Sequence, residues 1–344
     1  MKCSKIFTLL IGFILIISLF LTACGGQNTT RMNSSNNNNG DKVSIYTSFY
    51  PLYDFASKIA GERANVVNLV PPGAEPHDFE PTPKDLVKLS EADIFVYNGS
   101  GFETWIEDVL DSLDTTKLDV LNVSEHVDLL SLEETGGEVD HQHDEEHGDE
   151  HADEHKDEDH GEKNGHEGED NDPHLWLDPI RAKQMASTIK DALVKIDSEG
   201  TEIYEANYNT LITELDKLHS EFEAVVKNSN RKEMIVSHSA FGYLANRYGL
   251  KQIAISGISP SDEPSQKELQ EIISFAKKHN VKYILFETLV SGKVADVVKN
   301  QIGAEAITLN TLEGLTKEEL SNNKDYFSVM RDNLNSLKKA LDSK

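Results

Sequence analysis

Three histidines sit in short stretches suited to holding an imidazole still. His77 lies in the loop Gly73-Ala74-Glu75-Pro76-His77-Asp78-Phe79-Glu80-Pro81-Thr82-Pro83, where prolines reduce the entropy lost on fixing a ligand group. His174 stands in Asp172-Pro173-His174-Leu175-Trp176-Leu177-Asp178-Pro179, whose apolar residues should anchor the loop against a core. His238 follows Met234-Ile235-Val236 directly, in Ser237-His238-Ser239-Ala240-Phe241-Gly242-Tyr243, with Ser239 expected to cap the next helix. Each also has a plain reading, as a solvated loop histidine or a ring bonded to nearby backbone. A carboxylate partner could come from Glu313, in Leu312-Glu313-Gly314, or from Glu287, in Phe286-Glu287-Thr288. Spacing does not choose between the two.

Imidazole nitrogens at about 2.0–2.1 Å and one carboxylate complete the four-coordinate shell that borderline Zn²⁺ favours. Three neutral imidazoles and one carboxylate leave a unit of positive charge on such a site, which Asp78 or Asp178 could offset from behind the ligands. The histidines are far apart in sequence, unlike a local His-Glu-x-x-His helix, so only a fold can bring them together. Three histidines with an open position would equally suit a secreted zinc hydrolase. No nucleophile motif and no evident general base beside a ligand supports that, so a non-enzymatic protein is expected.

The elements that must position these groups read as α/β. Short apolar runs at Val43–Thr47, Val66–Val70, Ile94–Tyr97 and Val120–Val123 alternate with helical patterns, and a second set follows at 234–236, 252–255, 283–286 and 306–309. Helices are expected at 83–90, 240–248 and 265–279, and the alternation predicts parallel sheets in two βα lobes. Between the sets, Ile203, Leu211, Leu215, Leu218, Phe222 and Val225 share one face of a helix over 201–227. That helix would be about 40 Å long, enough to run along both lobes. Asp178 should cap a separate helix that begins at Pro179.

The chain has 344 residues and a formal net charge of -27. Glu138 to Asp170 alone holds 16 acidic and 2 basic residues, about half of that imbalance. An acidic surface repels phosphate backbones and no basic stripe stands out along the chain, which argues against nucleic-acid binding. Lys2 and Lys5, the apolar run from Ile6 to Leu21 and the small residues before Cys24 read as a secretory signal over residues 1–23. Leu21-Thr22-Ala23-Cys24 resembles the bacterial lipobox, in which Cys24 is acylated. Cys3 would be discarded with the leader, so the mature chain keeps no free thiol and any metal site must use histidines and carboxylates. Residues 24–41, poor in apolar side chains, read as a flexible tether.

At these motifs the chain resembles the metal-binding cluster of ABC-importer solute-binding proteins, in its zinc branch, often called ZnuA- or AdcA-like. The resemblance covers essentially 43–344. It implies two βα lobes with parallel sheets, joined by a long rigid helix, with the ion in the cleft between them. The expected layout is a first lobe at 42–198 with a disordered insertion at 138–170, a linking helix at 199–228 and a second lobe at 229–344. His77 and His174 would come from the first lobe, His238 and Glu313 from the second, with Glu287 left as a structural residue near the cleft. Manganese and iron members carry a carboxylate where His238 stands, so zinc is the expected ion. Some zinc members have an acid directly before the first histidine, where this chain has Pro76. The run His141, His143, His147, His151, His155, His160 and His166 is similar to loops of the zinc branch that act as weak, multi-ion collectors. The implied function is extracytoplasmic capture of Zn²⁺ by a lipid-anchored monomer and delivery to a membrane permease with its cytoplasmic ATPase. A manganese or iron homologue and a surface adhesin are the alternatives.

Overall fold

The structure, a computed structural model, describes residues 42–136 and 171–344. The leader 1–23, Cys24, the tether 24–41 and the histidine run from His141 to His166 lie outside the described residues.

Two four-stranded parallel sheets carry the fold. The first comprises β1 (Val43–Thr47), β2 (Ala64–Asn68), β3 (Ile94–Tyr97) and β4 (Asp119–Asn122), in the spatial order β2-β1-β3-β4. The second repeats that order with β5 (Glu233–Val236), β6 (Lys251–Ala254), β7 (Tyr283–Phe286) and β8 (Glu305–Thr308), as β6-β5-β7-β8. In both sheets the order reverses beside the first strand, and in α/β proteins ligands gather outside the carboxyl ends at such a point. Several strands begin one or two residues earlier than their apolar runs. Lys251 and Glu305 pair in the ladder although they are exposed.

Helices fill the connections. In the first lobe these are α1 (Tyr50–Ala60), α2 (Pro83–Leu89), α3 (Ile106–Ser112) and the short α4 (Leu132–Thr135). A 3-10 turn at Leu175–Leu177 leads into α5 (Pro179–Ile196), which Asp178 caps by accepting the Ile180 N–H at 3.0 Å. The long helix α6 spans Thr201–Lys227 and buries Tyr204, Leu211, Leu215, Leu218, Phe222 and Val226. Ile203 departs from the expected stripe: it is 45% exposed, and Tyr204 takes the buried position at that turn. The second lobe contributes α7 (Gly242–Tyr248), α8 (Gln266–Lys278), α9 (Lys293–Ile302), α10 (Lys317–Ser321) and α11 (Tyr326–Ala340). Among the described residues, no helix is long and apolar enough to cross a membrane.

The two lobes share a core. One cluster of buried side chains runs from Phe49, Phe55 and Trp176 through Leu211, Leu215 and Phe222 on α6 to Tyr326, Met330 and Leu337 on α11. Polar ties cross between the lobes beside it. Trp176 donates its indole N–H to the Thr311 carbonyl at 2.7 Å, and the Tyr326 hydroxyl donates to the Trp176 carbonyl at 2.7 Å. Tyr243 on α7 donates to the Asp172 carbonyl and accepts the Leu130 N–H. Arg247, also on α7, grips Asp178 through Nε and Nη2, with Arg181 paired to the same carboxylate. The stretch from Asp172 to Asp178 therefore belongs to the first lobe by chain order but is fastened largely by the second.

Candidate metal centre

His77 reaches the centre from the loop after β2, held by a bond from Gly73 N–H to the Leu315 carbonyl and by Phe79, which packs on Trp105. His174 precedes the 3-10 turn, its ring set among Phe102, Trp176 and His77. His238 follows β5. The expected Ser239 cap is absent: α7 begins two residues later behind Phe241, because Gln252 on β6 takes both groups. Its amide donates to Ser239 Oγ and its carbonyl accepts the Phe241 N–H.

Glu313 is aimed by a backbone turn. Leu312 adopts φ 59°, a left-handed conformation that costs a non-glycine residue about 1–2 kcal/mol. The turn persists because its surroundings fix it. Leu312 N–H donates to the Asn310 side chain, and Asn310 is locked to Asn333 on α11 by two reciprocal bonds of 2.7 Å to its backbone. Leu312 itself is fully buried.

The result is a set of four donors, from His77, His174, His238 and Glu313, whose ligating atoms all lie within 4.8 Å of one another. Glu313 Oε1 stands 3.4 Å from His238 Nε2, 3.6 Å from His174 Nε2 and 3.7 Å from His77 Nε2. The Nε2 atoms of His174 and His238 are 3.4 Å apart. A tetrahedral ion with bonds of about 2.0–2.1 Å separates its ligand atoms by roughly 3.3–3.4 Å, so two of these four spacings match such an edge and the other two exceed it by a few tenths of an ångström. His174, His238 and Glu313 are fully buried, and neither Glu313 oxygen has a hydrogen-bond partner.

Carboxylates behind the rings were placed differently from the expectation. Asp78 is exposed and Asp178 is engaged by the two arginines. Asp172 and Glu287 occupy the role instead. Asp172 Oδ1 accepts both the backbone N–H and Nδ1 of His174, at 2.9 and 2.8 Å. Glu287 Oε1 accepts the His238 N–H at 3.2 Å and stands 2.7 Å from Nδ1, an electrostatic contact without aligned hydrogen-bond geometry. A carboxylate beside Nδ1 favours the proton there, which leaves Nε2 free to ligate. A further acid, Glu75, accepts the His77 N–H through Oε1 and leaves Oε2 buried without a partner. The motif Glu75-Pro76-His77 was visible in the sequence, but nothing in it signalled an inward carboxylate.

Electrostatics differ between the rings. Burial pushes His174 below its ordinary value, with Asp172 opposing. Burial acts on His238 in the same direction, but Glu287 and Glu313 outweigh it and push His238 up to about 10. Burial would raise Glu313, yet His238 and His77 hold it well below the ordinary carboxylate value. Glu75 is pushed up to about 7, by burial first and by Glu313 next.

Fold and site together define a two-lobed α/β protein in which three imidazoles and one carboxylate form a largely buried cluster able to hold a metal ion. The family model described as "Zinc-uptake complex component A periplasmic" (ZnuA) matches residues 45–340, and the chain belongs to that family. Its members are zinc-uptake components, not enzymes. The high-affinity zinc uptake system protein ZnuA of Bacillus subtilis is 39% identical over 340 residues, covering 99% of this chain and 98% of that protein. The zinc-binding lipoprotein AdcA of Streptococcus pneumoniae is 37% identical over 330 residues. That match covers 95% of this chain, which spans only 60% of the longer protein. The crystal structure of the Zn(II)-bound ZnuA-like domain of Streptococcus pneumoniae AdcA superposes with a TM-score of 0.68 at 35% identity, over 88% of this chain and 100% of that domain.

Proposed function

We propose that this chain is the zinc-capturing component of an ABC importer, and that His77, His174, His238 and Glu313 hold the Zn²⁺ in transit. The observation that carries the reading is the spacing of 3.4–3.7 Å from Glu313 Oε1 to three imidazole Nε2 atoms, close to the edges of a zinc tetrahedron. Family membership and the Zn(II)-bound relative supply the ion and the importer. Asp172 and Glu287 then serve as orienters of two of the rings. The imidazole majority favours zinc over the harder manganese ion.

Residues 1–23 are a leader in this reading, Cys24 bears the lipid anchor, and 24–41 is the tether. The lobes divide at 42–198 and 229–344, with 199–228 between them, and the mature protein works as a monomer that hands its ion to the membrane permease. We propose that His141, His143, His147, His151, His155, His160 and His166 collect ions weakly for the buried centre, as imidazoles set among carboxylates offer many alternative ligands.

Elemental analysis of the purified protein beside His77→Ala, His174→Ala and His238→Ala variants tests the ligand set. Tightly held zinc should be present in the wild type and strongly depleted in the variants. Full retention in all three would rule the site out. Deletion of 138–170 should remove weakly bound ions and spare the tight one.

A further inference from the structure

One carboxylate beside the metal centre neither belongs to the four donors nor orients a ring. Glu75 lies outside the set whose ligating atoms stand within 4.8 Å of one another, yet the fold presses it against that set. Its loop crosses to the second lobe. Gly73 N–H donates to the Leu315 carbonyl at 2.9 Å, and the Ala74 carbonyl comes within 3.7 Å of where a Cβ on Gly314 would stand. Those contacts are made with the turn that carries Glu313, and Glu75 is the next residue along. Its Oε1 accepts the His77 N–H at 3.2 Å. Glu313, His77 and His238 all act on its charge. Glu75 is therefore set between a ligand of its own loop and ligands from the other lobe.

Its second oxygen has nothing to do in the metal-free protein. Asp172 and Glu287 stand at Nδ1 of a ring, which accounts for their place, whereas Glu75 bonds the backbone of His77. Glu75 Oε2 is buried with no hydrogen-bond partner among the described residues. A buried acceptor without a donor is unfavourable, and more so when charged. The position is also on the way in. His77 is the least enclosed of the four donors: its side chain keeps 8% exposure, whereas those of His174, His238 and Glu313 keep none. Pro72, Gly73 and Asp78 are exposed on that side, with Glu75 half-buried between them and the centre. An ion entering past His77 meets Glu75 before the buried donors.

We infer that Glu75 is an exchange ligand, the carboxylate that binds the ion as it enters and leaves the four-donor cluster. This rests on the reading of that cluster as the zinc site. A four-coordinate shell made wholly of protein groups has no open position, which suits retention and not transfer. Zinc tolerates a fifth ligand, so the Glu75 oxygen can attach before a histidine lets go, and the ion is not bare in between. Charge favours the same step. Zn²⁺ with three neutral imidazoles and one carboxylate carries one positive charge, and a second carboxylate makes the complex neutral, the form more easily buried.

The test compares Glu75→Gln with the wild type, since glutamine keeps the shape and an acceptor for the His77 N–H but loses the charge. Zinc uptake and release are followed by stopped flow with a chromophoric chelator, taking the release rate that no longer depends on chelator concentration. Both rates should fall at least about tenfold, or about 1.4 kcal/mol in barrier. The tight zinc should be retained, with affinity changed much less than either rate. Glu75→Asp keeps the carboxylate and should recover part of both rates. Unchanged rates in Glu75→Gln would overturn the inference. So would equal slowing in both variants, which marks loop packing, or loss of the tight ion from Glu75→Gln, which makes Glu75 a resident ligand. A wild type without tight zinc would instead sink the reading of the cluster itself.

Discussion

One oxygen of Asp172 bonds both the backbone N–H and the ring Nδ1 of His174, at 2.9 and 2.8 Å. That two-point hold fixes the imidazole in position and in tautomer together. Trp176 and Asp178, further along the same stretch, are tied to the second lobe, so His174 meets His238 and Glu313 on a support that both lobes share.

Removing this hold should loosen the ligand without removing it. Asp172→Ala is expected to weaken zinc binding by about 10–100-fold, the usual cost of losing a carboxylate behind a metal-bound histidine. Competition against a chromophoric chelator measures the change. An unaltered affinity would mean that packing by Phe102 and Trp176 alone orients the ring.

Gly242 makes room for that same carboxylate. A Cβ there would stand 2.5 Å from Asp172 Oδ2 and 2.3 Å from the Thr135 Cβ, both in the opposite lobe. Gly242→Ala must displace one or both, at about 1–3 kcal/mol for overpacking. Its signature is a lower unfolding midpoint accompanied by weaker zinc binding. Stability lost with zinc affinity intact would show that Thr135 gives way and Asp172 does not.

How far the sequence reveals this site depends on the range of the forces involved. His77, His174 and His238 each sit in a recognisable local setting, and strand and helix periodicity located the two sheets and α6 to within a few residues. The choice between Glu313 and Glu287 was illegible in spacing because it is made far away. Asn333 on α11 fixes Asn310, Asn310 holds the left-handed turn at Leu312, and the turn aims Glu313 at three Nε2 atoms. Glu287, at the end of β7, reaches the opposite side of the His238 ring. Asp178 is engaged both locally, by Arg181 three residues on, and from a distance, by Arg247 69 residues on, and only the first of these is within reach of a local reading.

The Asn310–Asn333 lock yields a prediction of its own. Asn333→Ala removes a donor and an acceptor from buried backbone groups of Asn310, at about 1–3 kcal/mol for groups left unsatisfied. The strained turn at Leu312 should then relax and withdraw Glu313, so zinc affinity should fall although Asn333 is no ligand. A crystal structure of the variant would show the movement directly. Leu312 still at positive φ would refute the lock as its cause.

Proton traffic at the centre is set by His238. With its value raised to about 10 between Glu287 and Glu313, the ring of the metal-free protein carries a proton at neutral pH that zinc must displace. Binding should release about one proton per ion, and affinity should climb with pH from neutral toward 10. Calorimetry in buffers of different ionisation enthalpy counts the proton. Stability of the metal-free protein should move the opposite way. A histidine raised above its unfolded value of about 6.5 contributes fully below that pH and loses its contribution as pH rises through the folded value. The urea midpoint of the metal-free protein should therefore decline between about pH 6.5 and 10, and Glu287→Gln should flatten the decline. Zinc binding without proton release at pH 7.5 would place His238 in the neutral state and remove the basis for both trends.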